Sequence, residues 1–129
     1  MHTPDRLARD EVTQIAFLPA HQTLFVHFTG DLTVAHASGM RNAVRAAWQA
    51  NPTLAAILVD LQEVRHLDSS GVGALLELTS QAKRAGVPFR LCRLQDSPRR
   101  LLHRTGLASL FEIYADLEAG QPNPYLTNS

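Results

Sequence analysis

Residues 54–61 read Leu-Ala-Ala-Ile-Leu-Val-Asp-Leu, and residues 68–73 read Asp-Ser-Ser-Gly-Val-Gly. The first stretch is almost unbroken in its apolar character. A strand with one wet face alternates apolar and polar residues, whereas a strand covered on both faces does not, which is the pattern at the centre of a parallel sheet. A polar turn, Gln62 to Leu67, separates the two stretches. From Ser70 to Ala85 the spacing is helical, with Val72, Leu75, Leu76 and Thr79 on one face. Lys83 and Arg84 sit in the last turn, where cations suit the negative end of the helix dipole, and Gly86 stands just beyond it. A buried strand followed by a helix is half of a β-α-β unit, and it sets the fold class as α/β.

Upstream, Thr23 to Thr29 reads as a strand with Leu24, Val26 and Phe28 opposed to Thr23, His27 and Thr29, and Phe25 breaks the strict alternation. Glu11 to Leu18 reads as an earlier strand, and Pro19-Ala20-His21-Gln22 joins the two as a hairpin. After Gly30-Asp31-Leu32, Thr33 is expected to cap a helix running to about Gln49, whose stripe is Val34, Ala37, Met40, Val44, Ala47 and Trp48. Asn51-Pro52 ends it. Downstream, Val87 to Arg93 is a strand. Ser97 is read as a cap with Pro98 at the first helical position, the helix running to Thr105 and ending at Gly106. Leu107 to Tyr114 holds a short strand or turn, and Leu117 begins a last helical turn. The predicted order, β-β-α-β-α-β-α-β, gives a single domain over residues 11–120. Its sheet is mixed but mostly parallel, with an antiparallel hairpin at the start. Residues 1–10 are read as a loose leader and 121–129 as a proline-bearing tail.

Composition narrows the function. Of 129 residues, 45% are hydrophobic and 19% charged, and twelve basic residues balance twelve acidic ones. That argues against disorder and against a nucleic-acid binder held by a strong overall field. No apolar run is long enough to cross a bilayer, and the first residues lack the apolar centre of a signal peptide, so a cytoplasmic location is expected. One cysteine, Cys92, allows no internal disulfide and no cysteine cluster for zinc. Gly71-Val72-Gly73 lacks the third glycine of a dinucleotide fingerprint, and there is no phosphate loop and no nucleophile elbow around Ser69. No cofactor, metal or catalytic residue is therefore expected. From Lys83 to Arg104 seven basic residues face one acidic residue, Asp96, without interleaved aromatics; a solvated face or a surface for an acidic partner fits this better than nucleic acid.

The local oddity is Asp68-Ser69-Ser70-Gly71-Val72-Gly73. Asp68, Ser69 or Ser70 can cap the helix that follows. Capping leaves the glycines unexplained, since each costs about 1 kcal/mol relative to alanine inside a helix. Glycine permits close approach by another backbone or a phosphate. A hydroxyl at a helix start also lies beside free N–H donors, where an added phosphate, carrying roughly −1.5 to −2 charges, is tolerated by the fold. Simple capping and a phosphorylation switch or binding loop both remain open on these residues alone.

The run from Ile57 to Gly73 resembles the STAS family and, within it, the bacterial anti-sigma factor antagonists. The resemblance continues through Ala74-Leu75-Leu76, Gly86-Val87 and Arg99 to Phe111, and Phe28-Thr29-Gly30-Asp31-Leu32 is similar to the family's early strand-and-turn signature. It implies a small domain with helices packed mainly on one face of the sheet and no enzymatic activity. It also implies a partner-switching cycle. The unphosphorylated antagonist binds an anti-sigma factor that is commonly also a serine kinase, and so frees a sigma factor. The kinase phosphorylates the first serine of the loop, here Ser69, and a serine phosphatase reverses the change. The partner-binding residues implied are Asp31, Thr33, Asp68, Ser69, Ser70, Gly71, Val72 and Gly73. The chain is expected to act as a monomer or weak dimer, without direct contact to nucleic acid or membrane. Many members carry an acidic residue where Thr33 stands, and this departure leaves the cognate kinase open. The alternatives are a ligand- or nucleotide-sensing STAS module in a larger transport or stress-signalling assembly, and a scaffold whose Ser69 is never modified.

Overall fold

The structure is a computed structural model and describes residues 13–120. β1 (Thr13–Leu18) turns through a short 3-10 segment, Pro19–His21, into β2 (Thr23–Thr29). Then follow α1 (Val34–Ala50), β3 (Ala56–Glu63), α2 (Ser69–Ala85), β4 (Phe89–Cys92) and α3 (Asp96–Arg104). A 3-10 turn at Ala108–Leu110, β5 (Glu112–Tyr114) and α4 (Leu117–Gly120) complete the described chain. The readings made for residues 1–10, for Glu11 and Val12, and for 121–129 lie outside the described residues.

The five strands pair in chain order. β1 and β2 are antiparallel, from Thr13 opposite Phe28 to Leu18 opposite Thr23. The other pairings are parallel, with Ile57 beside both Leu24 and Phe89. The predicted mixed sheet with its opening hairpin is the sheet observed.

Strand alternation sorts the side chains between two faces. Leu24, Val26, Phe28, Ile57, Val59, Leu61, Phe89 and Leu91 point one way and form the main core with Met40 and Val44 of α1, Val72, Leu75 and Leu78 of α2, and Leu102 of α3. Each fully buried aliphatic side chain stabilises this layer by about 2 kcal/mol. The opposite face carries Leu58, Asp60 and Cys92, all buried. α4 lies on that face: a Cβ built at Gly120 would stand 2.5 Å from Cys92 Sγ and 2.7 Å from Leu58 Cδ1. Three long helices therefore cover one face and one short helix touches the other. β3 is covered on both sides, which is why residues 56–61 show no alternation.

Several boundaries differ from the sequence reading. β3 runs on through exposed Gln62 and Glu63 because the parallel partner offers a ladder as far as Thr29 opposite Glu63. β4 is shorter than residues 87–93: Pro88 has no N–H to give, and Arg93, whose N–H still donates to the Tyr114 carbonyl, turns the chain away in a left-handed conformation at φ 60°. α3 starts at Asp96, so Ser97 lies inside the helix rather than capping it, and Pro98 is its third residue. There it still occupies a position whose N–H would lack an intrahelical acceptor. Val34 does not join the core stripe of α1, which begins at Ala37; in the first turn it is 72% exposed. In α2 the buried face is centred on Gly71, Leu75, Leu78 and Ala82, leaving Leu76 and Thr79 at its border. Gly86 ends α2 in the left-handed conformation (φ 73°) expected of a residue in that place, and its N–H is bonded to Ala82 and Lys83 carbonyls.

Candidate functional site

Past the carboxyl ends of β2 and β3 the chain makes two loops, and both lead into helices. The loops lie against each other. Leu32 and Leu67 form an isolated parallel bridge, the Leu32 N–H donates to the His66 carbonyl at 3.0 Å, and the Asp68 N–H donates to the Leu32 carbonyl at 3.4 Å. The starts of α1 and α2 are thereby neighbours. In open α/β sheets, this region beyond the strand ends is where sites are built.

Asp68 occupies the N-cap position of α2 in an extended conformation. Its Oδ1 accepts from the Gly71 N–H at 3.0 Å. Its Oδ2 accepts from the Val34 N–H, the first of α1, also at 3.0 Å. One carboxylate thus caps two helices. The Gly71 N–H bond, followed by those from Val34, Ser70 and its own N–H, outweighs the opposing effect of burial and holds the Asp68 carboxyl below the usual range. Thr33 stands at the N-cap position of α1, as its place in the sequence suggests, but its side chain makes no cap bond. The expected hydroxyl cap is replaced by a carboxylate from a residue 34 positions away.

The two glycines of α2 have different surroundings. A Cβ at Gly71 would fall 2.1 Å from the Leu32 carbonyl oxygen and 3.0 Å from Leu32 Cγ. Glycine is required there so that the chain's own loop can approach. A Cβ at Gly73 would meet nothing within 4 Å, and Gly73 is exposed. Ser69, the first residue of α2, is exposed; Ser70 is half-buried; Gly71 and Val72 are buried. Of the residues singled out in the sequence, Asp31, Thr33, Asp68, Ser69, Ser70 and Gly73 reach the surface at this end, while Gly71 and Val72 lie beneath it. Asp31 pairs with His66, whose Nδ1 lies 3.2 Å from Oδ1. Next to them a polar cleft of about 600 Å³ is lined by Gly30, Asp31, Gln62, Glu63, Arg65, His66 and Gln95. Gln95 and exposed Val34 carry no local sequence signal for a site; only the juxtaposition of loops places them here.

A second carboxylate, Asp60, sits on the far face of the sheet, with its side chain 1% exposed. Arg93 donates to it through Nε at 3.0 Å and Nη2 at 2.6 Å, His27 Nδ1 lies 2.8 Å away, and the Gln62 N–H donates at 3.2 Å. Burial pushes the Asp60 carboxyl up, but the bonds from Arg93, His27 and Gln62 outweigh it and hold it below the usual range. Cys92 lies on the same face, and its thiol is pushed up to about 12 by burial and by the charges of Asp60 and Asp116. A thiol so placed is inert. The basic cluster also divides. Arg93 is committed to Asp60, Arg90 to Glu112 and Arg99 to Asp96, while Lys83, Arg84 and Arg104 lie in the last turns of α2 and α3.

The sequence matches the STAS domain family over residues 14–120. Among solved structures, a Thermotoga maritima protein described as an anti-sigma factor antagonist superposes with a TM-score of 0.75 at 17% identity, covering 85% of this chain and 92% of that one. The Bacillus cell-fate determinant SpoIIAA in its phosphorylated form gives 0.62 at 19% identity, covering 83% and 95%. The murine Solute Carrier 26 family member A9 anion transporter gives 0.69 at 17% identity, covering 78% of this chain but 17% of the transporter. At these identities the likeness is one of fold.

Proposed function

The chain belongs to the STAS domain family, and from that premise we propose that it is an anti-sigma factor antagonist switched by phosphorylation of Ser69. In this reading the unmodified chain binds an anti-sigma factor that is also a serine kinase and releases a sigma factor. Phosphorylation ends that binding, and a serine phosphatase restores it. The protein works in the cytoplasm by binding rather than by catalysis. The partner surface comprises Asp31, Thr33, Asp68, Ser69, Ser70 and Gly73, with Gly71 and Val72 supporting it from below.

The observation that carries this reading is the placement of Ser69. It is exposed at the first position of α2, directly after a carboxylate whose oxygens are taken up by backbone N–H groups. A phosphate there meets the positive end of a helix and does not disturb the core, so the free domain tolerates it. Pressed against a partner it must shed its hydration, a penalty of several kcal/mol where it finds no counter-charge. The resemblance to the antagonists implies a phosphoacceptor in this loop, and a protein of the same fold has been solved in a phosphorylated form.

The test is binding of the cognate kinase to four forms of the full chain. The unmodified chain and Ser69→Ala should bind, Ser69→Asp should bind more weakly, and the phosphorylated chain weakest, since one carboxylate carries less charge than a phosphate. Fragment-ion mass analysis should place the phosphate on Ser69; a phosphate only on Ser70, or on neither, sinks the proposal. The polar cleft beside Asp31 favours a second reading, a ligand-sensing module. A nucleotide that copurifies with the chain and is lost on Asp31→Ala would select it.

A further inference from the structure

The Asp68 carboxylate stands between two helix starts that share no other side-chain cap among the described residues. Thr33, at the position that would serve α1 locally, makes no cap bond. The Val34 N–H is instead held by Asp68 Oδ2, and the Gly71 N–H by Oδ1 of the same group. Leu32 closes the arrangement from below: its carbonyl accepts from the Asp68 N–H, and it lies so near Gly71 that no Cβ fits between them. A carboxylate with both oxygens engaged cannot rotate to improve one bond without weakening the other.

We infer that Asp68 is a positioning residue which locks the first turn of α1 to the first turn of α2, so that a charge added at Ser69 is transmitted to Val34 through this one carboxylate. A second anion on the residue next to Asp68 repels it and competes for the N–H donors at the start of α2. The carboxylate yields on the side where its acceptor bond reaches across to another element, at Val34. The modified surface then includes the start of α1 as well as the serine loop. The consequence for partner binding rests on the antagonist reading above: affinity should depend on Asp68 even when Ser69 is unmodified.

The coupling is read from amide spectra of the full chain. In the unmodified protein, lowering the pH should shift the Val34 and Gly71 amides with one common midpoint, below the ordinary carboxylate range. The charged groups lining the neighbouring cleft are Asp31, Glu63, Arg65 and His66, so the same titration is repeated in Asp31→Asn, where the common midpoint should persist. Ser69→Asp should move the Val34 amide, and in the Asp68→Asn background that shift should be lost. Thr33→Asp added to Asp68→Asn should give α1 a cap of its own at the Ala35 or His36 N–H, without restoring the Ser69-dependent shift at Val34. Separate midpoints for Val34 and Gly71, or a Val34 shift on Ser69→Asp that is the same size with and without Asp68, overturn the inference. The wild-type titration decides the matter even if Asp68→Asn does not fold. A chain that shows the coupling but binds no anti-sigma kinase in any form leaves the coupling intact and removes the antagonist reading.

Discussion

Asp60 and Asp68 lie on one strand-and-loop unit, and each is the hub of several elements, yet they perform opposite tasks. Asp60 is sealed into the far face of the sheet, where the guanidinium of Arg93 pairs with it and the ring of His27 lies within hydrogen-bond distance. Asp68 lies at the surface and is satisfied by backbone N–H groups from two helices. A buried charge requires charged or polar side chains around it, and these enclose it. A carboxylate fed by backbone donors consumes no side chains, so the neighbouring hydroxyls of Ser69 and Ser70 stay available. The first arrangement staples strands together, whereas the second presents a surface.

Four perturbations should sharpen or break this contrast. The largest effect is expected from Gly71→Ala. The added methyl must displace the Leu32 carbonyl 2.1 Å away, and overpacking against backbone should cost about 3 kcal/mol. A thermal melt measures this, and a variant as stable as wild type would show that the apposed loops are slack and that Asp68 does not depend on them.

Asp60→Ala comes next. It strands Arg93 and His27 on the far face, and because both reach solvent in part, a loss of about 2 kcal/mol is expected, below the usual figure for a fully buried pair. Partner affinity should be unchanged at a temperature where the variant is folded; a loss of affinity would make the two hubs one site. The pH dependence has a definite sign. The folded Asp60 carboxyl lies below its ordinary value, so its stabilisation is fully present above that value and is lost as the pH falls through the lowered one. Acid unfolding curves of wild type and Asp60→Asn should therefore converge at low pH.

Gly73→Leu should do the reverse of Asp60→Ala. With open space at the site, the better helix former should raise stability by less than about 1 kcal/mol. The bulky side chain should nevertheless weaken kinase binding, and normal binding would remove Gly73 from the partner surface. The smallest effect belongs to Cys92. Its thiol, pushed up to about 12 and fully buried, should not react with a maleimide at pH 8 until the chain is unfolded. Labelling in the folded state would show that the Asp60 face opens.

Much of the architecture was legible because it rests on periodicities. The unbroken apolar run before Leu61, the stripe Ala37, Met40, Val44, and the glycine ending α2 each follow from local geometry, and each recurs in the structure. Element ends were less legible. Whether Gln62 and Glu63 belong to β3 depends on the ladder offered by β2, and β4 ends at Arg93, which takes a left-handed conformation that no local pattern announces. The candidate loop could be picked out because its glycines are costly in a helix. Their separate roles could not, since Gly71 and Gly73 differ only in what stands opposite them.

The sequence by itself determined the order of strands and helices, the mixed sheet, and a polar loop with hydroxyls at the start of a helix. These depend on residues near one another in the chain, through pattern, propensity and cap chemistry. Tertiary structure alone decided that Asp68 caps α1 in place of Thr33, that Gly71 is kept for Leu32 and Gly73 is left open, and that Arg90 and Arg93, two of the seven basic residues between Lys83 and Arg104, pair with carboxylates distant in the chain. A hydrogen bond or an ion pair depends on distance in space, and residues 34 positions apart in the chain come within 3.0 Å only once the sheet has brought their loops together.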